Sequence, residues 1–122
     1  MSPQRGTKSY NIKLMGHKGK LEIHDKNLSE TLSVRYADLF EKNDETLPAS
    51  LFGCYIDRIS SIFLDAEINR QPSQLSETLL HEIIEAGNQK LDLEMSHTQI
   101  QAIACFLNNV LLDNKIVRDI II

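Results

Sequence analysis

At Pro72 the chain changes its hydrophobic period. Before it, apolar residues mostly alternate with polar ones; after it, they return every three or four residues. A chain written this way places strands first and helices second. That limits the fold to an α+β class in which N-terminal antiparallel strands are followed by packed helices.

In the first half, Tyr10, Ile12 and Leu14 alternate with polar residues, Met15-Gly16-His17-Lys18-Gly19 supplies turn glycines, and Leu21 and Ile23 resume the alternation. This predicts a β-hairpin. From Leu28 to Lys42 two readings stay open. Leu32, Val34 and Tyr36 fit a third strand, whereas Leu28, Leu32, Leu39 and Phe40 fit a helix. Asn43 to Ser50, with Pro48, reads as a loop. Residues 52–65, FGCYIDRISSIFLD, read as a strand pair or one bent strand with Ile56, Ile59, Ile62 and Leu64 as apolar members.

In the second half, Pro72 suits a first helical turn, where its missing N–H has no partner to lose. Leu75, Leu79, Ile83 and Ala86 then form one stripe, which Gly87 and Asn88 weaken toward its end. Ser96 with Gln99 three residues on is a capping box that starts another helix. Its expected buried stripe is Ile100, Ile103, Ala104, Leu107, Val110 and Leu111, and Asp113-Asn114 ends it. The two main helices therefore span about 72–93 and 97–113. Ile116 to Ile122 is expected to pack as a strand or against the core. Met1 to Lys8 is polar and reads as a disordered start, leaving residues 9–122 as a single domain.

With 122 residues, 42% of them hydrophobic, the chain has enough apolar mass for one modest core. A net charge of -4 argues against broad binding to nucleic acid, so no nucleic-acid partner is expected. Arg5, Lys8, Lys13, Lys18 and Lys20 read as solvated strand faces. There is no apolar run long enough for a transmembrane helix, and Met1 to Tyr10 lacks the apolar centre of a secretory signal. Cys54 and Cys105 stand far apart and read as buried reduced thiols of a cytoplasmic protein.

The chemistry is concentrated in His81-Glu82-Ile83-Ile84-Glu85 and, further on, His97. This is one residue away from HExxH, in which two histidines one helical turn apart hold zinc and the glutamate acts on a water. On a helix, His81 and Glu85 are about 40° apart and roughly 240° to 280° round from Leu75, away from the centre of the apolar stripe. Both face a groove or solvent. Imidazole nitrogen and carboxylate oxygen can share one zinc ion, with His97 at the start of the next helix as third ligand. Glu82 is then free to act as a general base. The plain alternatives are that Glu82 and Glu85 belong to a solvated helix face and that His97 has no ligand role. His17 and His24, on the hairpin, need no role.

From Phe52 to Asn114 the order of motifs resembles a family of small metallopeptidase-like proteins of phages, prophages and bacteria. The matching stretches are Gly53-Cys54-Tyr55-Ile56-Asp57, Ile62-Phe63-Leu64-Asp65, Thr78-Leu79-Leu80-His81-Glu82-Ile83-Ile84-Glu85-Ala86, Leu91 with Leu93, Met95-Ser96-His97, and Leu111-Leu112-Asp113-Asn114. They cover about half the chain. HExxH members of that family carry a glutamate where His97 stands here, so this chain resembles one in which the second and third ligands are exchanged. The resemblance implies a small zincin-like α+β domain. It also implies Zn2+ on His81, Glu85 and His97, Glu82 as base, and a sheet edge that holds an extended peptide by β-augmentation. It departs from the family at Gly87 and Asn88 and at Cys105, Phe106, Asn108 and Asn109. A metallopeptidase acting on a peptide or protein is the leading expectation. A non-catalytic module on the same scaffold, binding a host protein, is the other, and the apolar Ile120-Ile121-Ile122 end suits it. The sequence leaves the oligomeric state open.

Overall fold

The computed structural model describes residues 7–25, 28–36 and 52–121. The elements are β1 (Lys8–Leu14), β2 (His17–His24), α1 (Leu28–Arg35), β3 (Gly53–Ile56), a 3-10 turn (Asp57–Ile59), β4 (Ser61–Asp65), α2 (Pro72–Leu91), α3 (His97–Asp113) and α4 (Lys115–Ile121). Among the described residues, no helix is long and apolar enough to cross a membrane.

The four strands form one sheet in the order β1-β2-β4-β3. β1 and β2 pair antiparallel, β2 and β4 parallel, and β3 closes the edge antiparallel to β4. The α+β expectation is met, with a mixed sheet rather than a purely antiparallel one. β4 is buried at all five positions, as an inner strand covered on both faces should be. Its alternation assigns the faces. Phe63 meets Leu28, Leu32 and Ile56 on the α1 side. Ile62 and Leu64 meet Tyr55 and Ala86 on the α2 side, with Ile12, Leu14, Leu21, Ile23, Leu75 and Leu79 packed around them. The sheet is thus a layer between α1 and α2, and α3 lies against α2.

The hairpin turn is tighter than the glycine pattern predicts. Met15 (φ 49°) and Gly16 (φ 84°) alone make it, both left-handed, which matches the right-handed twist of the strands. His17 to Gly19 are already paired in β2. Leu28 to Arg35 resolves to helix, so Leu32 and Val34 are not in a strand. Residues 37–51, including the expected loop with Pro48, and residues 1–6 of the expected disordered start lie outside the described residues; Lys8 opens β1.

Four expectations fail on packing. Ile83 is 42% exposed, and Ile103 and Leu107 about as much, because the α2–α3 contact uses Ile100, Ala104 and Asn108 instead. Small Ala104, with Asn108 hydrogen-bonded to Ser76 (2.6 Å) and to the Ser73 carbonyl (3.0 Å), lets the helices meet along a polar seam that an apolar count misses. The segment after Asn114 is a helix, α4, with Ile116, Ile120 and Ile121 exposed, so it is neither a strand nor packed against the core. Cys105 is exposed rather than buried, and Cys54 is half-buried, packed against the edge of the Leu28–Phe63 cluster. His24 is almost fully buried, held by Glu22 (2.9 Å) on one nitrogen and Thr7 (3.5 Å) on the other, so it does carry a structural role.

Candidate metal and general-base site

α2 runs for 20 residues with Pro72 at its first position. One side of it, carrying Leu75, Leu79 and Ala86, is pressed onto the sheet. A neighbouring side faces a cleft of about 540 Å³ between α2, α3 and the edge strand β3. His81, Glu82 and His97 all line that cleft.

His97 reaches it because the α2–α3 connection is short and clamped. Asp92 (φ 50°) and Glu94 (φ 58°) take left-handed conformations. Asn88 accepts from the Met95 N–H (2.9 Å) and donates to the Met95 carbonyl (3.3 Å). Asn88, which reads in sequence as a weak point of α2, is therefore the tie that turns the chain. Ser96 then starts α3, accepting from the Gln99 N–H (3.1 Å) while the Gln99 side chain accepts from the Ser96 N–H (2.8 Å). His97 is the first residue of α3. Its ring centre is 4.9 Å from that of His81, with 59° between the planes.

Nδ1 of His81 is 2.7 Å from Oε1 of Gln101. An amide oxygen only accepts, so this contact selects Nδ1 as the donor, the arrangement that in a neutral imidazole leaves the Nε2 lone pair for another partner. Gln101 is four residues after His97, hence on the same flank of α3. That spacing was the available signal for it, although the sequence reading gives it no role.

Glu82 is only 7% exposed. Its carboxylate accepts from the backbone N–H of Tyr55 on the edge strand, which favours the charged form. Burial outweighs this, with the nearby Glu85 carboxylate adding to it, and together they push Glu82 up to about 7. A carboxylate balanced there can take up and release a proton at neutral pH. Sequence periodicity places Glu82 beside the stripe but does not reveal its burial.

Phe52 and Gly53 form the β3 wall of the cleft. A Cβ at Gly53 would stand 2.8 Å from Cγ2 of Thr78, so glycine is what lets the strand approach α2 this closely. Asn69 ties the wall together. Its amide nitrogen donates to the carbonyls of Phe52 (3.0 Å) and Asp65 (2.8 Å), and its oxygen accepts from Thr78 (2.8 Å). Thr78 is three residues before His81, so the same turn of α2 carries both.

The structure thus brings His81, Glu82 and His97 together but leaves Glu85 aside. Glu85 is one turn further along α2, does not line the cleft, and accepts from Gln89 (3.3 Å). Among the described residues, no three of His, Cys, Asp and Glu are assembled closely enough to hold a metal ion. With zinc–nitrogen bonds of about 2.0 to 2.1 Å and tetrahedral angles, two imidazoles on one ion have ring centres about 5 Å apart, close to the separation seen here. Of the three expected donors, His81 and His97 line the cleft and Glu85 does not.

Comparison with family models, with curated proteins and with solved structures returns no match.

Proposed function

We propose that the chain is a small zincin-like, zinc-dependent metallopeptidase of the phage and prophage type. His81, His97 and Glu85 hold the ion, and Glu82 serves as general base. The observation that carries this reading is a buried carboxylate, poised near neutrality, lining the same cleft as two imidazoles whose ring centres are 4.9 Å apart. Solvated helix faces do not produce that combination. The order of motifs from Phe52 to Asn114, which includes these same residues, is the sequence ground for it.

A zinc ion held there supplies Lewis acidity toward a carbonyl and lowers the pKa of a water. The chain does the rest. Gln101 keeps the His81 lone pair on Nε2. Among the described residues β3 has a paired strand on its β4 side, and an extended peptide would add beside Phe52 and Gly53, which line the cleft. The Glu82 carboxylate takes a proton from the attacking water and passes it to the departing amine nitrogen.

Metal analysis of protein purified without tag or chelator tests the ligand set. The expected result is one zinc per chain, lost in His81→Ala and His97→Ala and weakened in Glu85→Ala. Glu82→Gln is expected to keep the zinc while cleavage of a peptide mixture falls by at least about a hundredfold, the usual scale for a lost general base. No stoichiometric zinc, or unchanged cleavage by Glu82→Gln, would sink the proposal.

One observation favours the second reading, a non-catalytic module that binds a host protein. Ile103, Phe106 and Leu107 present an apolar flank of α3 turned away from the cleft, with Phe106 67% exposed. That reading is preferred if Phe106→Glu abolishes partner capture while Glu82→Gln leaves the biological effect intact.

A further inference from the structure

The cleft continues past His81 toward the start of α2, and its far end has its own chemistry. Glu77 lines it, four residues before His81 and on the same flank of the helix. Phe52, 56% exposed, stands on the facing wall. Among the described residues no lysine or arginine lines the cleft, and no cation pairs with Glu77; its neighbour is the Cys105 thiol on α3, a weak donor. The other polar groups there are already engaged. Asn69 and Thr78 bond each other (2.8 Å), and the Gln74 amide oxygen takes the Gln71 N–H at the helix start (3.4 Å), leaving its neutral NH2. The positive end of the helix dipole fades within the first turn, and Glu77 stands in the second.

A carboxylate without a cation, facing an aromatic ring across a cleft, matches a lysine or arginine side chain. The ring covers the methylene stem or stacks on a guanidinium, and the carboxylate takes the charged tip. We propose that Glu77 and Phe52 form a subsite for a cationic side chain of the bound peptide, next to the bond that would be cut. This rests on the metallopeptidase reading for its meaning, but not for its test.

The test is binding, without turnover or metal. Fluorescently labelled Ala-Ala-Xaa-Ala-Ala peptides, with Xaa as Arg, Lys, Gln or Glu, are titrated into the metal-free full-length chain at low salt. The Arg and Lys peptides are expected to bind about tenfold more tightly than the Gln peptide, the scale of one charge-assisted hydrogen bond. The Glu peptide is expected to bind most weakly. Glu77→Gln should level the series, Glu77→Lys should reverse it, and Phe52→Ala should weaken the Arg peptide more than the Gln peptide. Circular dichroism of each variant checks that it is folded. Equal affinities across the series, a cationic preference that survives in Glu77→Gln, or no binding of any peptide would overturn the subsite. Failure of the metallopeptidase reading shows separately, as absent zinc or unchanged cleavage by Glu82→Gln.

Discussion

Glu82 shows how a single residue can work against the fold that holds it. Its carboxyl is raised from 4.5 to about 7, first by burial and then by Glu85. The folded state therefore binds the proton more tightly than the unfolded chain does. Between pH 4.5 and about 7 the native protein holds more protons, so stability falls as pH rises through that window and levels off above it. At full ionisation the loss is about 3 kcal/mol. In metal-free protein, Glu82→Gln is expected to raise stability at pH 8, approaching that amount, and to change it little at pH 4. Urea unfolding at the two pH values measures this. Equal effects at both would mean that the carboxyl is not destabilised by its surroundings.

At the scale of elements, the α2–α3 corner decides whether His97 can meet His81. Asn88 ties both backbone groups of Met95, and Ser96 caps α3. Asn88→Ala removes two hydrogen bonds at a turn with two left-handed residues, and is expected to destabilise by about 1 to 3 kcal/mol. It should also lower zinc affinity, because the imidazole pair loses its register. Ser96→Ala should cost about 1 kcal/mol through the lost cap. Thermal unfolding with and without zinc separates the two effects: a variant that loses stability but keeps its zinc-induced shift has not moved His97. Gly53 belongs to the same scale. Gly53→Ala places a methyl against Thr78 and should push β3 off α2, disturbing the contact between the Tyr55 N–H and Glu82.

For the molecule as a whole, the central strand joins the two layers. Phe63 is fully buried among Leu28, Leu32 and Ile56, with the Tyr36 ring centre 5.7 Å away. Phe63→Ala is expected to cost about 3 to 5 kcal/mol, since a cavity there cannot be filled from either face. Because Ile62 and Leu64 on the same strand support the α2 side, that loss should reach the cleft and weaken zinc binding as well. Chemical denaturation of the variant, followed by a zinc titration of the folded fraction, measures both.

The strand-then-helix order, the hairpin, the span of α2 and the start of α3 at Ser96 were legible along the chain, because they depend on local periodicity and on caps made by residues three positions apart. The pairing of His81 with His97 was legible for the same reason: a short connection between two predicted helices leaves them few other places to go. Packing was not legible in this way. Which flank of α3 meets α2 depends on Ala104 and Asn108 fitting against Ser73 and Ser76, and apolar spacing favours Ile103 and Leu107 instead. The burial of Glu82 beneath the edge strand, the wall built by Asn69 and Gly53, and the position of Glu77 across from Phe52 all join residues far apart in sequence. Local sequence determined which groups with chemistry exist here and at what spacing. Only the tertiary structure decided which of them share a cleft, because burial and electrostatic coupling arise from the layers closing over one another.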